Sequence, residues 1–234
     1  DFAQHCLELG YKGYKMHGWS AGNVKDEIEM LKAVGDRVAG KMKIMYDAAC
    51  HLNTLSDALE VGRVCDEYGF YWYEDPYKDG GVSINGNQVL AQKLSTPILV
   101  GEHVRNLETS VDMLVNGSSF FSRADPDYDG GITGSYKLVL ASEGLGIDCE
   151  IHSCGPPMRH LMAASRNSNF YEVNLLHPKC NNPWSLPIYD QNYNDLINCI
   201  DNSGNVEVPN GPGLGIDYDW DYIKKNKLHT VEIF

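Results

Sequence analysis

The chain is poor in positive charge. Lysine and arginine number 19 against 32 aspartates and glutamates, a formal net charge of −13. That balance argues against a nucleic-acid partner or an anionic membrane surface. No apolar run approaches the ~18 residues that a membrane-crossing helix needs, and no secretory leader is visible. The seven cysteines (6, 50, 65, 149, 154, 180, 199) contain no CxxC pair and no regular framework. They read as reduced thiols of a cytoplasmic protein rather than a disulfide scaffold. There is no low-complexity tract. An initiating methionine is also missing: DFAQHCLELGYKGYKMHG starts as if in mid-helix, with no strand before it.

What is present is a rhythm of short apolar runs, each ended by an acid. Asp47 follows KMKIMY, Glu74 follows FYWY, and Glu102 follows PILVG, at intervals of 27 and 28 residues. One strand plus one helix has about that length. Carboxylates carried at the C-terminal ends of successive strands converge at one end of a parallel barrel, where such barrels do chemistry. Converging carboxylates repel each other unless a cation sits among them, and an all-oxygen set suits Mg²⁺. The competing reading is three unrelated, solvated acids at strand ends.

Taken in order, residues 2–9 read as a helix closed by Gly10, and Tyr11–His17 as a strand. Val24–Val38 is a helix, and Lys41–Tyr46 a strand. Thr54–Tyr68 is a helix capped by Asn53 or Thr54 and ended by Gly69. Phe70–Tyr73 is a strand. A glycine-rich loop (Asp79-Gly80-Gly81, Asn85-Gly86-Asn87) precedes a short helix around Gln88–Leu94. Strands at Ile98–Val100, Ser119–Arg123, Ile147–Ile151 and Phe170–Leu176 alternate with helices at Leu107–Asn116, Ser135–Glu143 and Met158–Ser165. Seven strands alternating with helices predict an α/β fold with a parallel sheet. A (βα)8-type, TIM-like barrel needs one more strand, which is expected upstream. From residue 177 the rhythm stops, and Asn, Pro and Gly dominate. That part reads as an excursion and returning tail of one domain spanning 1–234.

Several other residues bear chemistry. Period-two alternation puts Lys15 and His17 on one strand face. In a barrel that face is interior, and a lysine there could sit at a depressed pKa suited to proton transfer; the alternative is solvent exposure at a strand end. Asp125 and His152 end strands one βα unit apart. A carboxylate bonded to one imidazole nitrogen would leave the other facing the cavity as acid or base; the alternative is a structural histidine. His103 and Arg105 follow the third carboxylate, and His51 the first. They bind a substrate carboxylate or hydroxyls, or decorate the rim.

The set YKGYKMHG, MYDAA, WYEDP, VGEHV, ADPDYDGGITG, EIHS and PGLGI, in this order and spacing, resembles the barrel domain of the enolase superfamily, mandelate racemase/muconate lactonizing enzyme group. The resemblance implies that Asp47, Glu74 and Glu102 bind Mg²⁺. It implies that Asp125 and His152 form the group's dyad, and that Lys15 and His17 occupy its paired-lysine positions. It also implies a homo-oligomer and an N-terminal capping domain, which this sequence does not include. Two departures stand out. The second lysine is His17, and the glutamate that mandelate racemase carries after its last strand falls near Asn181 or Asn182. The expected reaction is dehydration of an acid sugar, with His152 as main acid/base, His17 as its partner across the substrate, and His103, Arg105 and Asn182 recognising hydroxyls. Racemisation or epimerisation, cycloisomerisation, and a non-catalytic relative or inactive fragment are the competing expectations.

Overall fold

The computed structural model describes residues 1–78, 82–182, 187–189 and 193–232. Asp79-Gly80-Gly81 lies outside the described residues. Six strands form one parallel sheet in sequential order: β1 (Gly13–His17), β2 (Lys43–Asp47), β3 (Tyr73–Glu74), β4 (Ile98–Val100), β5 (Phe121–Ala124) and β6 (Asp148–Ile151). The connecting helices are α1 (Phe2–Leu9) before the sheet, then α2 (Val24–Val38), α3 (Leu55–Tyr68), α4 (Ile84–Lys93), α5 (Leu107–Val115), α6 (Gly131–Gly144) and α7 (Pro156–Ala163). An unbroken sequential order with helical crossovers curls the sheet into part of a barrel.

The helices start where side chains can satisfy their first N–H groups. Asn23 accepts from the Asp26 N–H, and Asn106 from that of Thr109. Thr54, rather than Asn53, opens α3 with a full capping box to Asp57. Pro156 and Pro157 occupy the first turn of α7, where a missing N–H costs nothing.

Two expectations are corrected. Asn85-Gly86-Asn87 belongs to α4, started by Ser83, because the Ser83 hydroxyl caps the Gly86 N–H at 3.1 Å. The segment 170–176 forms no ladder and Leu175 has φ 47°, so among the described residues six strands pair and not seven. It is held by side chains instead. The Glu150 carboxylate accepts from the N–H groups of Asn169 (3.1 Å) and Phe170 (3.2 Å).

Alternation along each strand sorts residues to two faces. The outward face packs Ile44, Tyr46, Tyr73, Ile98 and Val100 under α2–α4. The inward face carries a second, smaller core of Met45, Trp72, Leu99 and Phe121, with Tyr71 and Phe170 packed on it. Burial of each such side chain stabilises by roughly 1.5–3 kcal/mol. This inner core floors the barrel; two residues further along each strand, the chemistry begins.

The tail beyond α7 is tied down by one buried cation. Arg159 donates to the carbonyls of Glu207 (2.8 Å) and Asn194 (2.7 Å) and pairs with Asp195 at 2.7 Å. A further helix, α8 (Trp220–Asn226), follows in a region where none was expected. No disulfide joins any of the seven cysteines. Among the described residues no helix is long and apolar enough to cross a membrane.

Candidate active site

Each acid of the repeating pattern arrives at the same end of the sheet. Asp47 ends β2 and Glu74 ends β3, and the two are register partners. Glu102 lies beyond β4, after Gly101 at φ 142°. A Cβ at 101 would lie 2.9 Å from the Arg123 carbonyl oxygen, so only glycine allows β4 to turn here. One oxygen from each of Asp47, Glu74 and Glu102 lies within 4.8 Å of the others.

Three further charged groups complete the cluster. Lys15, on the inward face of β1, contacts Glu74 at 2.9 Å, Glu172 at 3.1 Å and Asp47 at 3.5 Å. Arg123, on β5, is buried, with Nε 2.9 Å from Glu74 and a terminal nitrogen 2.5 Å from Glu172. Neither Arg123 nor Glu172 was expected from the sequence. Period-two spacing would have found both: Phe121 and Phe170 floor the barrel, so residues two further on face the same interior.

The electrostatics follow from this crowding. Four carboxylates (Asp47, Glu74, Glu102, Glu172) face two cations, leaving a formal surplus of two negative charges. Glu74 is fully buried, and its Oε1 has no well-aligned hydrogen bond. Burial raises the Glu74 pKa, opposed by Arg123 and Lys15 and reinforced by Asp47 and Glu172. Burial works the same way on Glu172, but Lys15 and Arg123 outweigh it and hold this carboxyl low. An all-oxygen site with two unbalanced negative charges fits a hard divalent cation.

Lys15 does not have the depressed pKa expected of it. Burial and the nearby Arg123 lower it, but the carboxylates of Glu172, Glu74 and Asp47 more than offset both, and the net direction is up. The sequence reading paired this lysine with His17, whereas its neighbours are three acids.

The second element is the imidazole. His152 follows β6, and its Nδ1 lies 2.5 Å from Asp125 Oδ2. A carboxylate only accepts, so Nδ1 carries the proton and donates it. Asp125 is fixed in turn by the Asp127 N–H at 2.7 Å. His152 Nε2 then points at the carboxylate cluster, 3.5 Å from Glu102 Oε2. The Tyr128 ring stacks over the imidazole at 6.4 Å. Burial lowers the His152 pKa, but the Asp125 bond and the charges of Glu172 and Glu102 outweigh it and Arg123, so the value is raised.

A cavity of about 1520 Å³ opens onto this end, lined by Lys15, His17, Asp47, Glu102, His152 and Glu172 among others. His17 is exposed, with Nδ1 3.0 Å from its neighbour's carbonyl at Gly18. The three residues expected to bind substrate lie outside the lining. His103 turns to Asp75, 3.4 Å away. Arg105 donates to the Glu102 carbonyl at 3.1 Å and lies over the Tyr128 ring. Asn182 donates to the Asn174 carbonyl at 3.0 Å. The glutamate in the site stands at 172, not near Asn181 or Asn182.

Comparison with known proteins identifies the family. The family described as enolase C-terminal domain-like matches residues 1–222. The chain belongs to that family. Its enolase-superfamily neighbours include a D-glucarate dehydratase from Agrobacterium tumefaciens, solved in complex with magnesium. That structure is 30% identical, with a TM-score of 0.82 over 96% of this chain and 58% of the other. An arabinonate dehydratase from Saccharolobus solfataricus is 26% identical over 219 residues, 92% of this chain and 55% of that protein. An N-succinylamino acid racemase from Amycolatopsis is 25% identical over 223 residues, with the same shares. The chain thus spans little more than half the length of these enolase-superfamily relatives. Dehydratases and racemases stand side by side among them.

Proposed function

We propose that this domain serves Mg²⁺-dependent removal of the proton next to a carboxylate, in a dehydration of an acid sugar. The observation that carries the reading is the placement of His152: one nitrogen locked on Asp125, the other aimed at the carboxylate cluster. Asp47, Glu74 and Glu102 would hold the ion. Mg²⁺ so held supplies positive charge where the substrate carboxylate gains electron density.

The chain's own residues do the rest. His152 Nε2 takes the α-proton, and Asp125 stabilises the imidazolium that forms. Electron density moves from the broken C–H bond into the carboxylate and then into the new C–C double bond. The bond to the β-hydroxyl breaks, and this oxygen leaves as water with a proton returned by His152. The enol left behind tautomerises to a 2-keto acid. Lys15, kept cationic by its three carboxylates, places a second positive charge beside the reacting carboxylate. His17 is the proton-carrying partner across the cavity. Arg123 and Glu172 hold Lys15 and Glu74 in place through their ion pairs. Arg105 and His103 stand at the rim, where longer substrates would meet them.

The similarity to a racemase supports a second reading, in which the proton is returned to the same carbon. A panel of acid sugars incubated with Mg²⁺ separates the two. Dehydration yields a 2-keto acid; racemisation in D2O places deuterium at the α-carbon with no water lost. If the full-length enzyme did neither with any carboxylate offered, the proposal would fail.

A further inference from the structure

Beside the acidic cluster lies a second group of different chemistry. Cys50, Asp75 and His103 each bring one potential ligand atom within 4.8 Å of the other two. The elements that meet here are the loops after β2, β3 and β4. The Cys50 N–H donates to the Asp75 carbonyl at 3.1 Å, which ties the first two loops together. Ala49, Cys50 and Asp75 have φ of 51°, 57° and 38°, so non-glycine backbone is held in the left-handed region at three points around this group.

Asp75 is the telling member. It is 1% exposed, and neither carboxylate oxygen has a hydrogen-bond partner among the described residues. A buried carboxylate left that way is costly unless an opposite charge pairs with it. His103 Nε2 lies 3.4 Å from Asp75 Oδ2. A tetrahedral ion with bonds of about 2.0–2.1 Å to nitrogen and oxygen holds such atoms roughly 3.3–3.4 Å apart. The His103 side chain is 35% exposed, which leaves a way in for an ion.

We propose that Cys50, Asp75 and His103 form a second cation site, selective for a thiophilic divalent ion of the zinc type. Sulfur and imidazole ligands favour such ions over Mg²⁺, whereas Asp47, Glu74 and Glu102 offer only oxygen. Three protein ligands leave the fourth position open, as in exchangeable zinc sites rather than closed structural ones. The two sites touch. Asp75 follows Glu74 in the chain, and His103 Nε2 is 4.0 Å from Glu102 Oε1. An ion at the second site therefore adds positive charge beside the first.

Cobalt reports on this directly, because only a thiolate ligand gives a sulfur-to-Co²⁺ charge-transfer band in the near ultraviolet. The full chain is saturated with Mg²⁺ and titrated with Co²⁺. The expected result is a charge-transfer band that saturates at one ion per chain. It is absent in Cys50→Ser and unchanged in Cys180→Ser, which alters an exposed cysteine outside the group. His103→Ala weakens Co²⁺ binding tenfold or more while Mg²⁺ binding at the oxygen site, followed by calorimetry, persists. A wild-type chain without the band, or a band that survives in Cys50→Ser, overturns the proposal. The His103→Ala titration decides the matter if Cys50→Ser does not fold. Mg²⁺ binding without the band would sink this site alone and leave the proposed reaction standing.

Discussion

The floor and the mouth of the half-barrel are built from the same segments, two residues apart. Met45 gives way to Asp47, Trp72 to Glu74, Leu99 to Gly101, Phe121 to Arg123, and Phe170 to Glu172. The floor excludes water and is apolar. The mouth gathers like charges at a cost in desolvation that only a bound cation, Lys15 and Arg123 can offset. One layer therefore holds the fold together, while the other is maintained against the fold's own interest, as expected of a site that works.

Variants of the two layers should separate stability from turnover. The largest effect belongs to the mouth: His152→Asn lowers turnover by about 10²–10⁴-fold, the usual contribution of a positioned acid/base, and leaves Mg²⁺ binding in place. Steady-state kinetics alongside calorimetry checks both halves. A cut in the floor should do the reverse. Trp72→Ala removes a large side chain that is 3% exposed and costs about 3–5 kcal/mol in urea unfolding, with little change in the affinity for Mg²⁺. Next in size is the ion itself. Chelation should destabilise the protein by about 2.7 kcal/mol relative to Mg²⁺ at a hundred times its dissociation constant, read from paired urea melts.

Smaller effects sharpen the boundary between layers. Gly13 lies at floor level on β1, where an added Cβ meets Met45 Cε at 3.0 Å and Phe170 at 3.2 Å. The methionine end can move, so Gly13→Ala should cost only about 1 kcal/mol. The least effect is electrostatic. In Mg²⁺-free protein His152 titrates above its usual 6.5. Its pairing with Asp125 then stabilises the fold below about pH 6.5 and fades as pH rises through the folded value. An NMR titration of wild type against Asp125→Asn should show the raised value lost in the variant.

Only part of the mouth was legible in the sequence. Asp47, Glu74 and Glu102 announced themselves by spacing, and the dyad by its place one βα unit later. Arg123 and Glu172 were missed because an arginine at a strand end and a glutamate between Tyr171 and Val173 carry no local signal. Only the parity set by Phe121 and Phe170 reveals them, and that parity has meaning once the strands are known to curl. The segment 170–176 reads as a strand in the sequence, yet its backbone finds no ladder partner among the described residues. In α4, Asn85-Gly86 reads as a turn, and Ser83 capping with burial of Leu90 overrides it. In α8 the signals were present and overlooked: Asp219 caps the Tyr222 N–H, and Lys224 and Lys225 sit in the last turn. His103, Arg105 and Asn182 lie outside the cavity lining, and sequence order alone does not show which way a loop turns.

The central claim is that Asp47, Glu74 and Glu102 share one divalent ion. Calorimetric titration of Mg²⁺ into wild type and into Glu102→Gln tests it most directly. The account predicts one ion per chain in wild type and binding at least tenfold weaker in the variant. Equal affinity in the two, or no binding in the wild-type protein, would contradict it.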